Sequence, residues 1–262
     1  MGGSDTQGRS IKSVRKAFRI LELLREHDGM SVTDLSVELG ESKSTAHHYL
    51  STMESEGYVS KEGGEYRLDL ALLTLGGAVR EREEIYRRAR GDVYRLANET
   101  GEVARLIAEH DNSGIVLYQV MGDEAAEPHV PLGGREPLHC TAAGKAFLAE
   151  LPTGEAERIV EATGMTTYTE NTITELQTLR TELQSIRSRG VAFDDEERFD
   201  GIRCVATTVN TVSGDLIGAI SVSGPTERLT DQRFEEELPR TVQNIAGAVE
   251  ITSKYSTWTD EQ

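Results

Sequence analysis

The sequence has little cysteine and no long apolar run, and both shortages narrow the classes of protein it can encode. Its two cysteines, Cys140 and Cys204, are too few for a disulfide framework and are typical of a reducing compartment. No apolar stretch approaches the roughly 18 residues of a membrane-spanning helix. Residues 1–10, MGGSDTQGRS, lack the apolar segment of a signal peptide and predict a flexible tail. We expect a soluble cytoplasmic protein with no membrane partner.

Lysine occurs only six times, so 22 of the 28 basic residues are arginine, and the net charge is −17. An acidic surface with few lysines keeps a protein hydrated in concentrated salt, where screening tolerates unpaired negative charge. This composition predicts a halophilic source, with an ordinary acidic protein as the alternative. Residues 1–78 carry 9 basic and 12 acidic residues, whereas residues 79–262 carry 19 and 33. The front of the chain is therefore the better candidate for an anionic partner.

Three segments near the start repeat apolar residues at helical spacing. They cover residues 11–27, a short segment opened by a Ser31–Asp34 capping box, and a third that follows Ser42 and ends at Gly57. The predicted buried positions are Val14, Ala17, Phe18, Leu21 and Leu24, then Val32, Leu35 and Leu39, then Ala46, Leu50 and Met53. The last two helices are joined by a tight turn, which predicts a helix-turn-helix.

A short hairpin follows, with strands at residues 58–61 and 66–69. Gly63-Gly64 between them supplies the positive φ values that a tight turn requires. A helix-turn-helix followed by a hairpin predicts a winged-helix DNA-binding domain over residues 11–70. A protein-binding module with solvated polar residues is the alternative.

In a winged helix the third helix enters the major groove of DNA. The predicted DNA contacts are polar residues off its buried face and two basic residues of the wing: Ser42, Lys43, Ser44, Thr45, His47, His48, Lys61 and Arg67. Serine hydroxyls and N–H groups at the helix start suit phosphate oxygens. His47 and His48 are adjacent, so they point about 100° apart and cannot share one metal ion. We therefore predict no metal site and no cofactor.

Residues 71–90 predict a charged linker helix, and residues 91–255 alternate strand and helix patterns. The predicted strands are 103–107, 115–119, a segment running into a helix near residue 141, 191–194, 202–212 and 216–223. The other predicted helices are one ending at residue 100, 153–163, 172–189, and 231–255 with a kink at Pro239. This order predicts an antiparallel α+β domain, with a tail at residues 256–262.

Several segments, in the right order, resemble the IclR family of transcriptional regulators over about residues 11–255. The family pattern G-x3-D-x2-E-x6-C-hydrophobic-small is met by Gly190, Asp194, Glu197, Cys204, Val205 and Ala206. LHCTAAGKAFLAELP and GAISVSGP match two further family segments. The chain departs from the family at His48, where arginine is common, and at residues 207–210, where an apolar run is frequent.

The resemblance implies a winged helix joined by a linker helix to a GAF-like effector domain. It also implies a homodimer, or a dimer of dimers, that represses or activates transcription at a palindromic operator. Carried over position by position, the effector contacts are Ala142, Ala143, Asp194, Ile202, Cys204, Ser221 and Ser223. A helix opening at Ala142 favours an anion, and Asp194 suits a ligand hydroxyl. The expected effector is a small hydroxy-, keto- or sugar-acid.

Other interpretations of these residues stay open. Ser221 and Ser223 could simply pack a sheet, Asp194 could belong to a solvated acidic loop, and Cys204 could be a small buried residue. Lys145 is expected to pair with a nearby acid, and Gly144-Lys145 lacks the spacing of a phosphate-binding loop.

Two other classes of function deserve comparison. A cysteine hydrolase would need His139 as base, but His139 and Cys140 are neighbours on a predicted strand and point to opposite faces. A metal or redox sensor would use His129, His139, Cys140 and Cys204, which lack the close spacing of structural zinc sites. The sequence therefore predicts a regulator that is not an enzyme.

Overall fold

The structure is a computed structural model that describes residues 10–256. Most of both predicted tails, residues 1–9 and 257–262, lies outside the described residues. The chain divides into two compact units at the bond between Val79 and Arg80. Within residues 10–256, no helix is both long enough and apolar enough to cross a membrane.

The first unit is a winged helix, as predicted. Its elements are α1 (Lys12–Glu26), β1 (Met30–Ser31), α2 (Val32–Glu38), α3 (Lys43–Ser55), β2 (Val59–Glu62) and β3 (Glu65–Leu68). The three strands form an antiparallel sheet in the order β1-β3-β2. Gly63 and Gly64 turn the hairpin with φ values of +59° and +96°. The Ser31 hydroxyl caps α2 by accepting from the Asp34 N–H at 3.2 Å.

The buried face of α1 differs from the predicted one. Ile20, Leu23 and Leu24 enter the core, whereas Val14 and Phe18 are 49% and 63% exposed. Apolar residues cover so much of the surface of α1 that the pattern alone does not specify which stripe is covered. Packing against the other helices and the wing selects the C-terminal half of the helix.

The linker segment also differs from the prediction. In place of one helix over residues 71–90, α4 (Ala71–Arg82) ends, Glu83 adopts an extended conformation, and α5 (Glu84–Thr100) begins. No residue of α4 is buried. Helix α5 ends at Gly101 with a left-handed φ of 73°, the predicted stop.

The second unit is built on one six-stranded antiparallel sheet in the order β6-β5-β4-β9-β8-β7. Its strands are β4 (Val103–His110), β5 (Ser113–Met121), β6 (Arg135–Pro137), β7 (Ala192–Asp195), β8 (Ile202–Asn210) and β9 (Leu216–Pro225). Its remaining helices are α6 (Ala142–Glu150), α7 (Thr153–Thr163), α8 (Leu176–Arg189) and α9 (Leu238–Ser256), the last preceded by a π-helical segment (Arg233–Glu237).

Helices cover both faces of this sheet. Leu106 and Ile220 pack against α5 and α9 on one face, and Ile107 and Ala219 pack against α6 and α8 on the other. As a result β4 is buried continuously from Val103 to Ile107, instead of alternating between buried and exposed residues as predicted. The face on which α6 lies also carries the candidate site.

Three further boundaries depart from the predictions. Strand β6 ends at Pro137, so His139 and Cys140 lie beyond it and the opposite-faces argument against a cysteine hydrolase loses its premise. Helix α8 starts at Leu176 instead of residue 172, because the Thr172 hydroxyl is engaged with the Glu197 carbonyl at 2.6 Å. The predicted last helix begins with the π-helical segment, just before Pro239, which has no N–H to donate.

Candidate functional site

All seven predicted effector residues line one cavity on the α6 face of the sheet. Its empty volume, counted out to the open mouth and including solvent space, is about 600 Å³. The walls come from β4, β7, β8 and β9, from the start of α6, and from loop residues 126–129 and 198–199. The predicted contacts are thus gathered in one place, although the structure contains no effector that would test them.

Strand register explains how residues distant in sequence form the floor of this cavity. Asp194 lies opposite Cys204, and Cys204 lies opposite Ser223. Two residues along β9, Ser221 lies opposite Arg105 of β4. Because alternate residues of a strand share a face, these five side chains belong to the same side of the sheet.

Helix α6 begins at the cavity wall, as predicted. Its N-cap is Thr141, whose hydroxyl accepts from the Gly144 N–H at 3.1 Å and donates to the Pro137 carbonyl at 2.8 Å. The N–H groups of Ala142 and Ala143 have no hydrogen-bond partner among the described residues. They are free to bind an anion with the help of the helix dipole.

Asp194 is buried rather than part of a solvated loop. Its Oδ1 atom accepts hydrogen bonds from the N–H groups of Glu197 at 2.8 Å and Arg198 at 3.3 Å. Burial raises the pKa of Asp194 to about 7, against the opposing effect of the Lys145 charge. Near neutral pH this carboxyl can therefore either accept or donate a hydrogen bond to a ligand.

Lys145 pairs with an acid, as predicted. Its ammonium group forms a buried ion pair with Glu197, so Lys145 is occupied by the protein. The hydroxyls of Thr169 and Thr172 donate to the Glu197 carbonyl at 3.2 and 2.6 Å. These contacts fix the loop that follows Asp194 against α6 and against the segment before α8.

Sequence reasoning missed four charged residues of the cavity: Arg105, Glu127, Glu136 and Arg198. Arg105 is only 7% exposed, and its Nε atom has no hydrogen-bond partner. The signal was present in the sequence, because Arg105 interrupts the apolar run VARLIA in a strand that is buried on both faces. A buried charge in such a strand needs a partner, and no described residue forms an ion pair with it.

Arg198 lies between two aromatic rings. Its guanidinium carbon is 3.9 Å from the Tyr168 ring centroid and 4.5 Å from that of Phe199, and its Nε atom is buried without a hydrogen-bond partner. Glu136 is buried as well, and burial raises its pKa against the opposing charges of Arg105 and Arg198. The cavity therefore holds two permanent positive charges beside a carboxyl that tends towards its neutral form.

The cysteines do not have the environment of reactive thiols. Burial, and next the charge of Asp194, raise the pKa of both the Cys140 and the Cys204 thiol, which disfavours the nucleophilic thiolate. His139 is engaged elsewhere, with its Nε2 atom 3.0 Å from the Thr166 carbonyl and its ring stacked on Tyr168. Within residues 10–256, no three His, Cys, Asp or Glu side chains are placed to hold a metal ion.

The second candidate site is the exposed face of α3. Lys43, Ser44, His47 and His48 are exposed, and the core side of the helix carries Ala46, Leu50 and Met53, as predicted. The Ser42 hydroxyl caps the helix by accepting from the Thr45 N–H at 3.1 Å, so part of its hydrogen-bonding capacity is already used.

The two basic residues of the wing differ in how far their charges are already paired within the unit. Lys61 is exposed, with its Nζ atom 5.1 Å from the Tyr66 ring centroid. Arg67 forms ion pairs with Asp28 and Glu65, each at 3.2 Å, so its charge is partly neutralised within the unit. The eight predicted DNA contacts stay predictions, and Arg67 is the one most occupied by the protein.

Comparison with known proteins gives matches along nearly the whole chain. A family model described as the IclR helix-turn-helix domain matches residues 13–63, and one described as bacterial transcriptional regulator IclR C-terminal matches residues 77–251. The probable HTH-type transcriptional regulator ArcR of Halobacterium salinarum is 34% identical over 247 residues, 93% of this chain and 94% of that protein. The acetate operon repressor of Salmonella typhimurium is 30% identical over 250 residues, 94% of this chain and 90% of the repressor.

A solved structure shows the same similarity in three dimensions. The crystal structure of the Thermotoga maritima IclR protein matches with a TM-score of 0.81 at 28% identity, covering 94% of this chain and 100% of that one. The similarity therefore extends over both compact units.

Proposed function

Because the chain belongs to the IclR family of transcriptional regulators, a DNA-binding and non-enzymatic class, we propose that a small carboxylate effector controls its binding to a palindromic operator. The effector is a small hydroxy-, keto- or sugar-acid. The observation that carries this proposal is the cavity, which combines the free N–H groups of α6, the Arg105 charge and the Asp194 carboxyl. Carboxylates and hydroxyls are the groups that such an arrangement recognises.

The operator is bound by α3 in the major groove and by the wing at the adjacent backbone. Ser44, Thr45, His47 and His48 are the residues proposed to meet base edges, while Ser42, Lys43, Lys61 and Arg67 meet phosphates. Support comes from the position of these residues on or beside the exposed face of α3 and on the wing. A neutral histidine at position 48 fits binding that depends on hydrogen bonds and shape more than on charge.

The proposed active form is a homodimer or a dimer of dimers. Helix α4 has no buried residue in the single chain, and Leu73 and Val79 on it are 70% and 53% exposed. Apolar side chains left exposed on a helix are stabilised by a partner. Two recognition helices about 34 Å apart would then read two half-sites one turn apart. The effector shifts the equilibrium between dimer geometries by its difference in affinity for them.

We place the protein in the cytoplasm of a halophilic organism. Support comes from its net charge of −17 and from the excess of arginine over lysine. In concentrated salt, counterion release contributes little to DNA affinity, which agrees with the few basic residues on α3.

Two experiments test the proposal. Selection of bound DNA from a random pool should enrich a palindrome, and failure to enrich any sequence would contradict operator binding. A thermal-shift screen of small organic and sugar acids, in the native protein and in Asp194→Ala, should find acids that stabilise only the native protein. A ligand at a hundredfold excess over its dissociation constant adds about 2.7 kcal/mol to the free energy of unfolding. Hits that bind both proteins equally would exclude Asp194 from the effector site.

A further inference from the structure

Arg105 carries a buried charge that the protein itself does not neutralise. It lies on β4, in the interior of the sheet, opposite Gln119 on one side and Ser221 on the other. Neither neighbour is charged, no described residue forms an ion pair with Arg105, and its Nε atom is unpartnered. A guanidinium in this position is expensive to desolvate unless an anion meets it.

Two half-buried arginines of the same unit, Arg228 and Arg203, are paired with carboxylates. The fully buried Glu102 accepts from Arg228 Nε at 2.8 Å and Nη2 at 2.6 Å. Arg203 donates to Asp195 at 2.6 Å and to Asp231 at 2.8 Å. These two arginines form ion pairs with carboxylates, whereas no described carboxylate forms an ion pair with Arg105.

Arg198 is a second arginine of the same cavity whose buried Nε atom has no hydrogen-bond partner within residues 10–256. The rings of Tyr168 and Phe199 hold the guanidinium by its faces, which leaves its in-plane N–H donors for an acceptor. Its buried Nε atom has no such acceptor among the described residues. Stacking on the two rings orients the guanidinium group. A ligand oxygen is then needed to accept hydrogen bonds from the N–H groups at its edge.

Glu136 is the cavity carboxyl that faces both arginines, yet it forms no ion pair with either of them. Burial raises the pKa of Glu136 against the opposing charges of both arginines. Asp194 is already bound by two backbone N–H groups. Glu127, on the rim, is exposed and hydrated. Among the described residues, none of these three carboxyls forms an ion pair with Arg105 or Arg198, and the Nε atoms of both arginines stay without an acceptor.

We propose that the effector is a small dicarboxylate, with one carboxylate held by Arg105 at the sheet and the other by Arg198 at the aromatic loop. This inference rests on the proposed function and narrows its ligand class from acids in general to dianions. The N–H groups of Ala142 and Ala143 and the carboxyl of Asp194 then serve the uncharged oxygens of the ligand.

Matched pairs of acids that differ by one carboxylate provide the test. Lactate is compared with malate, butyrate with succinate, and 2-oxobutyrate with 2-oxoglutarate, by calorimetry on the full chain at constant ionic strength. We expect at least one dicarboxylate to bind tenfold or more tightly than its monocarboxylate partner. Arg105→Gln and Arg198→Gln should each reduce that preference at least tenfold, because each variant leaves one carboxylate of the ligand without a guanidinium partner. Arg158→Gln, at an exposed position on α7, should not alter it.

The melting temperature of the unliganded variants supplies an independent readout. Removing an uncompensated buried charge should leave Arg105→Gln as stable as the native protein or more stable. A large loss of stability would show that Arg105 has a structural partner and would overturn the inference.

The outcomes separate this inference from the proposed function. Monocarboxylates that bind as tightly as their partners, in a manner that depends on Asp194, would overturn the dicarboxylate while leaving the acid-responsive regulator in place. A panel in which no dicarboxylate binds would also overturn it. Operator selection does not depend on the effector, so it tests the DNA-binding function by itself.

Discussion

The Asp194 carboxylate accepts a hydrogen bond from the backbone N–H of Glu197 at 2.8 Å, and the Glu197 side chain in turn pairs with Lys145 of α6. The floor of the cavity and the helix at its wall are thereby joined through one loop. A ligand that contacts Asp194 or the start of α6 acts on the same connected group. This connection is the structural basis for the first two predictions.

Asp194→Asn should change how stability depends on pH. An aspartate in the unfolded chain titrates near 3.8, whereas the pKa of Asp194 is raised to about 7 in the folded protein. The folded protein therefore keeps a proton that the unfolded chain has already released. The stabilisation from this group is complete below about pH 4 and is lost as the pH rises through 7. Denaturation from pH 4 to 8 should show the native protein losing up to about 4 kcal/mol relative to Asp194→Asn.

Asp200→Asn is the matched control for this experiment, since Asp200 is an exposed residue of the same loop. It should follow the native profile. Parallel pH profiles of the native protein and Asp194→Asn would show that the Asp194 carboxyl is not held in its neutral form by burial.

Glu197→Gln should destabilise the second unit because it leaves the buried Lys145 charge without a partner. Loss of one member of a buried ion pair costs about 3 to 5 kcal/mol in the free energy of unfolding. The double variant Lys145→Met, Glu197→Gln should recover much of that loss, as the charge is then absent. Urea titration measures all three proteins.

The surface pair of Arg19 and Glu22 gives the comparison, because both side chains are about half exposed. Arg19→Ala should change stability by less than about 1 kcal/mol. A Glu197→Gln protein as stable as Arg19→Ala would mean that the buried Lys145–Glu197 ion pair does not stabilise the fold.

Ser42→Ala and Ser44→Ala should distinguish the contribution of helix capping to stability from the contribution of α3 to DNA binding. The Ser42 hydroxyl caps the helix, so its loss should cost about 0.5 to 2 kcal/mol of stability. Ser44 is exposed with no side-chain hydrogen bond to a described residue, so Ser44→Ala should keep native stability and weaken operator binding. Thermal unfolding and operator titration are measured on both. Native operator affinity in Ser44→Ala would remove Ser44 from the proposed DNA contacts.

His48→Arg should tighten operator binding at low salt and have little effect at molar salt. Each additional phosphate contact steepens the salt dependence of log affinity by about 0.9. The control is His110→Arg, which makes the same change at an exposed position in the second unit. Equal tightening at both salt concentrations would contradict the explanation that histidine at this position reflects a high-salt environment.

Leu73→Glu with Val79→Glu should weaken self-association through the exposed apolar surface of α4. Sedimentation velocity should show a smaller species than the native protein, and operator affinity should fall because two half-sites are no longer held together. Tyr94→Glu, at an exposed position on α5, is the control. An unchanged oligomer in the double variant would place the dimer contact elsewhere.

Local features were predictable because they depend on residues close together in the chain. The capping role of Ser31, the glycine turn at Gly63-Gly64 and the stop of α5 at Gly101 need only a few neighbours and matched the structure. The predicted buried face of α1 was only partly right: Leu24 is buried and Ala17 and Leu21 pack against the core, whereas Val14 and Phe18 are exposed. The break at Glu83 was missed because nothing in the charged sequence around it forbids a continuous helix.

The seven effector positions followed from family resemblance, and the structure brings them together around one cavity. The two arginines of the cavity, in contrast, were not predicted from the sequence. Arg105 and Arg198 line the same cavity only because strand pairing brings β4, β9, β8 and β7 side by side and the loop after β7 places Arg198 over Tyr168. Their lack of partners depends on what packs around them, as does the raised pKa of Asp194. Sequence alone was therefore enough for the elements and the family, whereas long-range strand pairing and burial decided the charge of the cavity.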